Sequence, residues 1–480
     1  MKPLFVACIF LFATLSACAQ KDGYKIKINF KQDVQDEYVY LAHYYVKPLP
    51  TIYKTDSAKV INHRTAVIES TDSVLGGIYM VLFNNNSKYT EFILDNGDEF
   101  EMTIDTVNMP ANIRFKNSPE NTRYVSYETY LLDYGKKQQA LSAELEKAKN
   151  AADTQAIRDK SVALSDDLNR YRKEYTQTYP NTFLSQVFNA IRLPEVPKGT
   201  HYLPDGKTVD SNYAYRYYKN HYWDKFDLQD NRLMFTPIFD MRLDEYFNKL
   251  VVPFPDSMIV EADAFLEKVR PASETFKYSL HWLTRNAETS KIMGMDEVFV
   301  HMVENYYMKG DAFWLDSATV ARYEDRAKKI APNVLGNIAP DIEAQDLNTL
   351  QDKPLYSMNS KYTLLIFWQY DCGHCVSEVP QIDSVYQSVL KDKGVEIYSV
   401  ITQGEVSKIR EAVAKLGVAH WNTVVDTSNK KAYQSQYDVY STPKVYLLDA
   451  QKKIIGKSLD HSNILDVIDW VEKKSATASK

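Results

Sequence analysis

The sequence predicts a multidomain protein: a small antiparallel β sandwich or barrel, then an all-α region, then a C-terminal α/β domain. Three observations carry this. Short strand-like runs, broken by Asp, Asn and Gly clusters, fill residues 24–110. Helical spacing of apolar and aromatic residues takes over across 118–332. From 338 to 476 strand-like and helix-like runs alternate, the order that makes a mixed sheet flanked by helices. A chain of 480 residues agrees with about three domains at roughly 150 residues each.

Ahead of these regions, residues 1–17 read as an export signal. Lys2 supplies the positive start and Leu4 to Phe12 the apolar run, which is too short to span a bilayer. The run closes on Leu15-Ser16-Ala17-Cys18. That pattern resembles the bacterial lipobox, which implies cleavage before Cys18 and lipid on its thiol. Ala17-Cys18-Ala19 also fits an ordinary secretion site, with cleavage before Gln20 and a soluble periplasmic product. Both place the mature chain outside the cytosol, with 18–23 as a linker. A lipid at Cys18 would be its membrane contact.

In the β region, Tyr24–Phe30 alternates apolar and polar residues, and Tyr38–Tyr44, Ala66–Glu69, Gly77–Leu82, Glu91–Leu94 and Glu99–Ile104 follow. Asn84-Asn85-Asn86 and Asp95-Asn96-Gly97-Asp98 are turn signals between them. In the helical region, Ser118-Pro119 reads as an N-cap followed by Pro at the first helical position. Tyr124, Tyr127, Tyr130, Leu131 and Tyr134 share a helical face, and the charge-rich run through Thr178 predicts a helical hairpin. Shorter helices are expected around 181–191, 210–222, 240–249, 256–268, 272–285, 295–308 and 316–329.

Composition excludes several classes. A net charge of −6 without a basic stripe argues against a nucleic-acid partner. Four cysteines are too few for a disulfide scaffold. His301-x-x-Glu304 lacks further ligands at metal spacing, so no metal is expected there. Tyr213, Tyr215, Tyr217, Tyr218, Tyr222 and Trp223 could stack on a glycan or peptide, but their helical spacing favours packing.

The chemistry concentrates in Cys372-Gly373-His374-Cys375, directly after the strand-like run Tyr362–Trp368 and at the start of a helix. At a helix N-terminus, free N–H groups and the helix dipole favour a thiolate at Cys372. Such a thiolate attacks a partner disulfide, and Cys375 then resolves the mixed disulfide. Zinc would need a second ligand pair, which the sequence lacks. A purely structural disulfide across so short a loop would add little stability.

With this motif, Trp368 four residues before it, Pro380 five residues after it and Thr442-Pro443 before the run Lys444–Leu448, residues 338–476 resemble the thioredoxin superfamily, in its TlpA-like and ResA-like extracytoplasmic branch. The resemblance implies a thioredoxin fold, a cis peptide bond at Thr442-Pro443, and a substrate-binding surface at Thr442, Pro443 and Trp368. It implies no cofactor beyond the Cys372–Cys375 disulfide. The buried Asp of cytoplasmic thioredoxins is replaced here by Ile366, while Glu378 matches the ResA-like glutamate. On the helix face of Cys375, a carboxylate in an apolar pocket holds its proton more tightly and can relay one to that sulfur. His374 favours a thiolate at Cys372 and Asp371 opposes it; with Gly373 they tune the couple. Peroxiredoxins place Thr three residues before their reactive cysteine; Gln369 stands there instead.

The regions before residue 338 resemble domains fused to thioredoxin domains in exported proteins of Bacteroidetes, which carry no chemistry to transfer. The expected function is thiol–disulfide exchange with exported proteins, in the reductase or isomerase direction, with a membrane thiol donor or acceptor as second partner. The rival is an envelope binding lipoprotein whose N-terminal regions hold a ligand.

Overall fold

The computed structural model describes residues 22–83, 88–107, 109, 112–427 and 432–478. The export segment, Cys18 and the Asn84-Asn85-Asn86 turn lie outside the described residues. The chain divides into two compact units, Met1–Leu250 with Pro271–Thr275, and Val251–Arg270 with Phe276–Lys480.

The first unit opens with eight strands: β1 (Tyr24–Phe30), β2 (Tyr38–Tyr45), β3 (Lys47–Lys59), β4 (Thr65–Ser70), β5 (Gly77–Leu82), β6 (Tyr89–Leu94), β7 (Glu99–Ile104) and β8 (Arg114–Lys116). They form two four-stranded sheets, ordered β4-β1-β7-β8 and β3-β2-β5-β6. Ile26, Ile28 and Phe100 of one sheet meet Leu41, Val81 and Phe92 of the other in one buried cluster, so the fold is a sandwich. It is not wholly antiparallel, because β1 and β7 pair in parallel. Two strands escape the pattern reading. Pro48 and Pro50 argue against a strand, but β3 is an edge strand, where a missing N–H is tolerated. The three residues of β8 are too few to show a period.

The charge-rich run folds into the expected hairpin, α1 (Pro119–Glu146) and α2 (Ala151–Thr178). Asn150 caps α2 by accepting the Asp153 N–H at 2.9 Å. Ser118 does not cap α1: its Oγ instead accepts from Asn121 Nδ2 at 2.9 Å, because Asn121 is fixed on the Ile93 backbone. Next come α3 (Phe183–Ile191), α4 (Tyr213–Asn220) and α5 (Phe239–Glu245). Tyr222 is buried under the Arg242 guanidinium, 4.0 Å from its ring centroid, so this end of the aromatic cluster is packing.

The second unit contains α6 (Pro255–Val269), most of α7 (Ser273–Thr289), α8 (Met295–Met302) and α9 (Ser317–Ile330). His301 bonds Asp263 at 2.9 Å. The rest is β9 (Gln345–Asp346), β10 (Tyr362–Trp368), α10 (Gly373–Val385), β11 (Val395–Ile401), α11 (Val406–Lys415), β12 (Asn422–Val425), α12 (Ala432–Gln436), β13 (Lys444–Asp449), β14 (Ile454–Lys457) and α13 (Ile464–Ala478). The sheet order is β14-β13-β10-β11-β12-β9, with β10, β11 and β12 parallel. Successive β10 residues bury into opposite layers: Leu364, Ile366 and Trp368 into one, Leu365 and Phe367 into the other. Central position and double burial explain why this strand is a continuous apolar run. Among the described residues, no helix is long and apolar enough to cross a membrane.

Candidate active site

Every residue of β10 is buried, and the chain turns out of the sheet where the apolar run ends, at Gln369-Tyr370-Asp371. The turn is braced by the loop after β11. Gln403 Nε2 donates to Gln369 Oε1 at 3.1 Å. A Cβ on Gly404 would stand 2.3 Å from Tyr370 Cε1, so the close approach, at a φ of +122°, requires glycine. The position at which peroxiredoxins carry Thr thus holds a glutamine engaged with this loop.

The turn delivers Cys372 to the N-cap of α10, where its Sγ accepts the Cys375 N–H at 3.4 Å. The Cys372 thiol also reaches Thr442 O at 3.5 Å. Partial burial disfavours the thiolate. Hydrogen bonds from the Cys375 side chain and N–H, from the Thr442 side chain and from the His374 backbone outweigh that cost, and the thiol lies below its ordinary value. Cys375 differs. It is fully buried in the layer of Ile366 and Trp368, and burial, then its hydrogen bond to Cys372, push it up to about 11. One helical turn therefore holds an accessible sulfur biased to thiolate beside a buried one biased to thiol. Both are free thiols in this structure.

The Thr442-Pro443 bond is cis, as the resemblance implies. Pro443, His374 and Glu378 line a cleft of about 550 Å³ next to Cys372. Asp371, Gly373 and His374 are exposed, and of the three His374 lines the cleft. A Cβ at Gly373 would meet nothing within 4 Å, so neither space nor a positive φ demands glycine there.

Two site expectations need correction. Trp368 is fully buried, and its Nε1 donates to Ser399 Oγ at 2.7 Å, so it belongs to the core and not to a substrate surface. Glu378 does share a helix face with Cys375, but its carboxylate is not in an apolar pocket. It accepts the His461 N–H at 2.7 Å and faces His461 Nδ1 at 3.0 Å. His461 lies 83 residues away, in the turn that starts α13, and nothing local in the sequence marks it. The sequence reading also missed Arg326, Asp438 and Lys444, which line the cleft as an ion-paired group. Among the described residues, no three His, Cys, Asp or Glu side chains gather to hold a metal ion.

Residues 24–124 match a domain of unknown function (DUF4369), and residues 146–333 match another (DUF5106). Residues 335–457 match the AhpC/TSA family. No curated protein matches the chain. Among solved structures, the chain is similar to a domain of a possible thiol-disulfide isomerase from Cytophaga hutchinsonii, with 31% identity over 31% of this chain and 99% of that one (TM-score 0.29). It is also similar to the thioredoxin domain of a thiol-disulfide oxidoreductase from Bacteroides vulgatus, with 29% identity over 29% and 96% (TM-score 0.26). A thioredoxin-like protein from Bacteroides caccae matches at 18% identity over 57% and 95% (TM-score 0.46). The AhpC/TSA match spans Cys372 and Cys375, so the C-terminal region carries an AhpC/TSA, thioredoxin-like domain that contains both thiols.

Proposed function

We propose that the chain is a thiol–disulfide oxidoreductase of the bacterial cell envelope, exchanging disulfides with exported proteins through Cys372 and Cys375. The observation that carries the reading is the unequal pair of thiols on the first turn of α10, beside Thr442. The names given to the Cytophaga and Bacteroides vulgatus relatives point the same way.

In the reducing direction, the Cys372 thiolate attacks one sulfur of a partner disulfide. The partner S–S bond breaks, a Cys372–partner disulfide forms, and the second partner sulfur leaves as thiolate. Cys375 then gives up its proton, through Glu378 and His461, to that departing sulfur, and attacks Cys372 Sγ. The Cys372–partner bond breaks as the Cys372–Cys375 bond forms, and the partner sulfur that was bound to Cys372 leaves as a thiolate that takes a proton from solvent, so the partner departs as a dithiol, two electrons richer. A membrane thiol donor restores the reduced pair. The disulfide itself is the redox centre, with no added cofactor. Exposed His374 and Asp371 flank Cys372 and bias the couple in opposite senses. Thr442 and Pro443 meet the substrate backbone. The lipobox reading of Leu15-Ser16-Ala17-Cys18 supports an envelope lipoprotein anchored at Cys18.

In the test, Cys375→Ser is expressed in its envelope and separated without reductant. Exported proteins disulfide-linked to Cys372 are expected, and their complete absence sinks the reading. Direction follows from the reduction potential. A value near about −270 mV makes the chain a reductase and one near about −180 mV an isomerase, whereas about −120 mV would overturn both.

A further inference from the structure

The loop that presents Thr442 and Pro443 is held from outside the thioredoxin fold. Arg326 and Lys329 stand one turn apart on α9, and Asn333 follows in the 3-10 turn after it, so the three share one face. All three meet the segment leading to Thr442. Arg326 is ion-paired with Asp438. Lys329 Nζ lies 5.4 Å from the Tyr440 ring centroid. Asn333 Nδ2 donates to Gln436 O at 3.2 Å. Asp438 is the common anchor, because Lys444 Nζ also binds its Oδ2 at 3.1 Å and its backbone O at 2.7 Å, closing the loop on itself. Asp438 has positive φ (51°) and a nearly buried side chain, so the loop depends on these bonds for its shape. Four residues later the same loop places Thr442 against Cys372 Sγ.

We propose that α9 sets the position of the loop carrying Thr442 and Pro443, and that Arg326 is a positioning residue for the exchange reaction at Cys372. This rests on the oxidoreductase reading and adds to it a role for the helical region matched as a domain of unknown function. The pairing carries the effect through geometry. Without Arg326 the loop relaxes, Thr442 withdraws from Cys372, and the thiolate loses the hydrogen bond of the Thr442 side chain, which favours it. The other charged or titratable groups facing the loop are Lys329, Tyr440 and Lys444, with His374, Glu378 and Asp460 across the cleft.

The experiment is the pH profile of Cys372 alkylation by iodoacetamide in the reduced full chain. Arg326→Met leaves Asp438 paired with Lys444, so the fold should persist. Its midpoint is expected to move to higher pH, with the rate at pH 7 down roughly threefold to tenfold and converging on the parent rate at alkaline pH. Arg326→Lys should restore most of the rate. An unchanged midpoint, a loss that persists at alkaline pH, or a loss that Arg326→Lys does not restore overturns the inference. If Arg326→Met does not fold, Lys329→Met decides, with a roughly twofold shift in the same direction expected and no shift overturning. Reduction of a model disulfide by the unmodified chain keeps the two readings apart. No exchange at all sinks the oxidoreductase reading, while exchange insensitive to Arg326 and Lys329 sinks only this one.

Discussion

Strand β1 reads Tyr-Lys-Ile-Lys-Ile-Asn-Phe, while β10 reads Tyr-Thr-Leu-Leu-Ile-Phe-Trp. The first buries one face, against the opposite sheet of the sandwich. The second buries both, because helices cover each side of its sheet. The difference has a chemical consequence. Most sandwich strands pair antiparallel, and turns join several of them. Strand β10 pairs in parallel with β11, and that pairing needs a crossover helix, α10. A crossover aims a helix N-terminus, with its free N–H groups and positive dipole end, at the carboxyl end of the central strand. There Cys372 sits, its thiol held below the ordinary value. The sandwich has a buried core of its own, yet the strand end leading into α10 is where the thiols gather.

If that contrast is right, equal damage to the two cores should have unequal effects on chemistry. Ile28 and Ile366 are both fully buried. Truncating either to Ala is expected to cost about 2–5 kcal/mol, read from urea unfolding. Only Ile366→Ala also removes part of the wall behind Cys375, so only it should alter exchange kinetics in the protein that remains folded. Equal kinetic losses from Ile28→Ala would break the comparison. A smaller effect is expected at Trp368. Trp368→Phe keeps most of the ring but leaves Ser399 Oγ without its indole donor, a cost of about 1–2 kcal/mol. The KM for protein disulfides should not change. A raised KM would return Trp368 to the substrate surface.

Legibility followed sequence separation. The Cys372–Cys375 pair, the helix behind it and the buried strand before it lie within 24 residues, and periodicity plus motif spacing located them (Tyr362 to Val385). Thr442 is 70 residues from Cys372, and only the family resemblance connected it and Pro443 to the motif. The partners of Glu378 and Asp438 were not legible at all. His461 reaches Glu378 across 83 residues, and Arg326 reaches Asp438 across 112, through contacts that leave no local pattern. Strand β3 was missed for another reason. Its prolines are a true local signal against a strand, overridden by an edge position that only tertiary structure reveals.

The smallest expected effect sharpens the comparison within the site itself. In the resolving step Cys375, held near 11, must lose its proton before it can attack Cys372. Glu378 lies one turn further along the same helix, and its partner His461 is about one-third exposed, so the pair links the helix to solvent. Glu378→Gln keeps an acceptor for the His461 backbone N–H and should fold, but it removes the charge facing Nδ1. Because the cleft is open and water also carries protons, release of the partner from the mixed disulfide should slow only about threefold, well below the usual range for a dedicated general acid or base. Its pH dependence should flatten as well. Stopped-flow release across pH 6 to 9 reads both (roughly the interval over which water and side chains compete as proton carriers). A rate and profile identical to the parent chain would leave Glu378 as a tether for the turn that begins α13, and Cys375 would then depend on solvent alone.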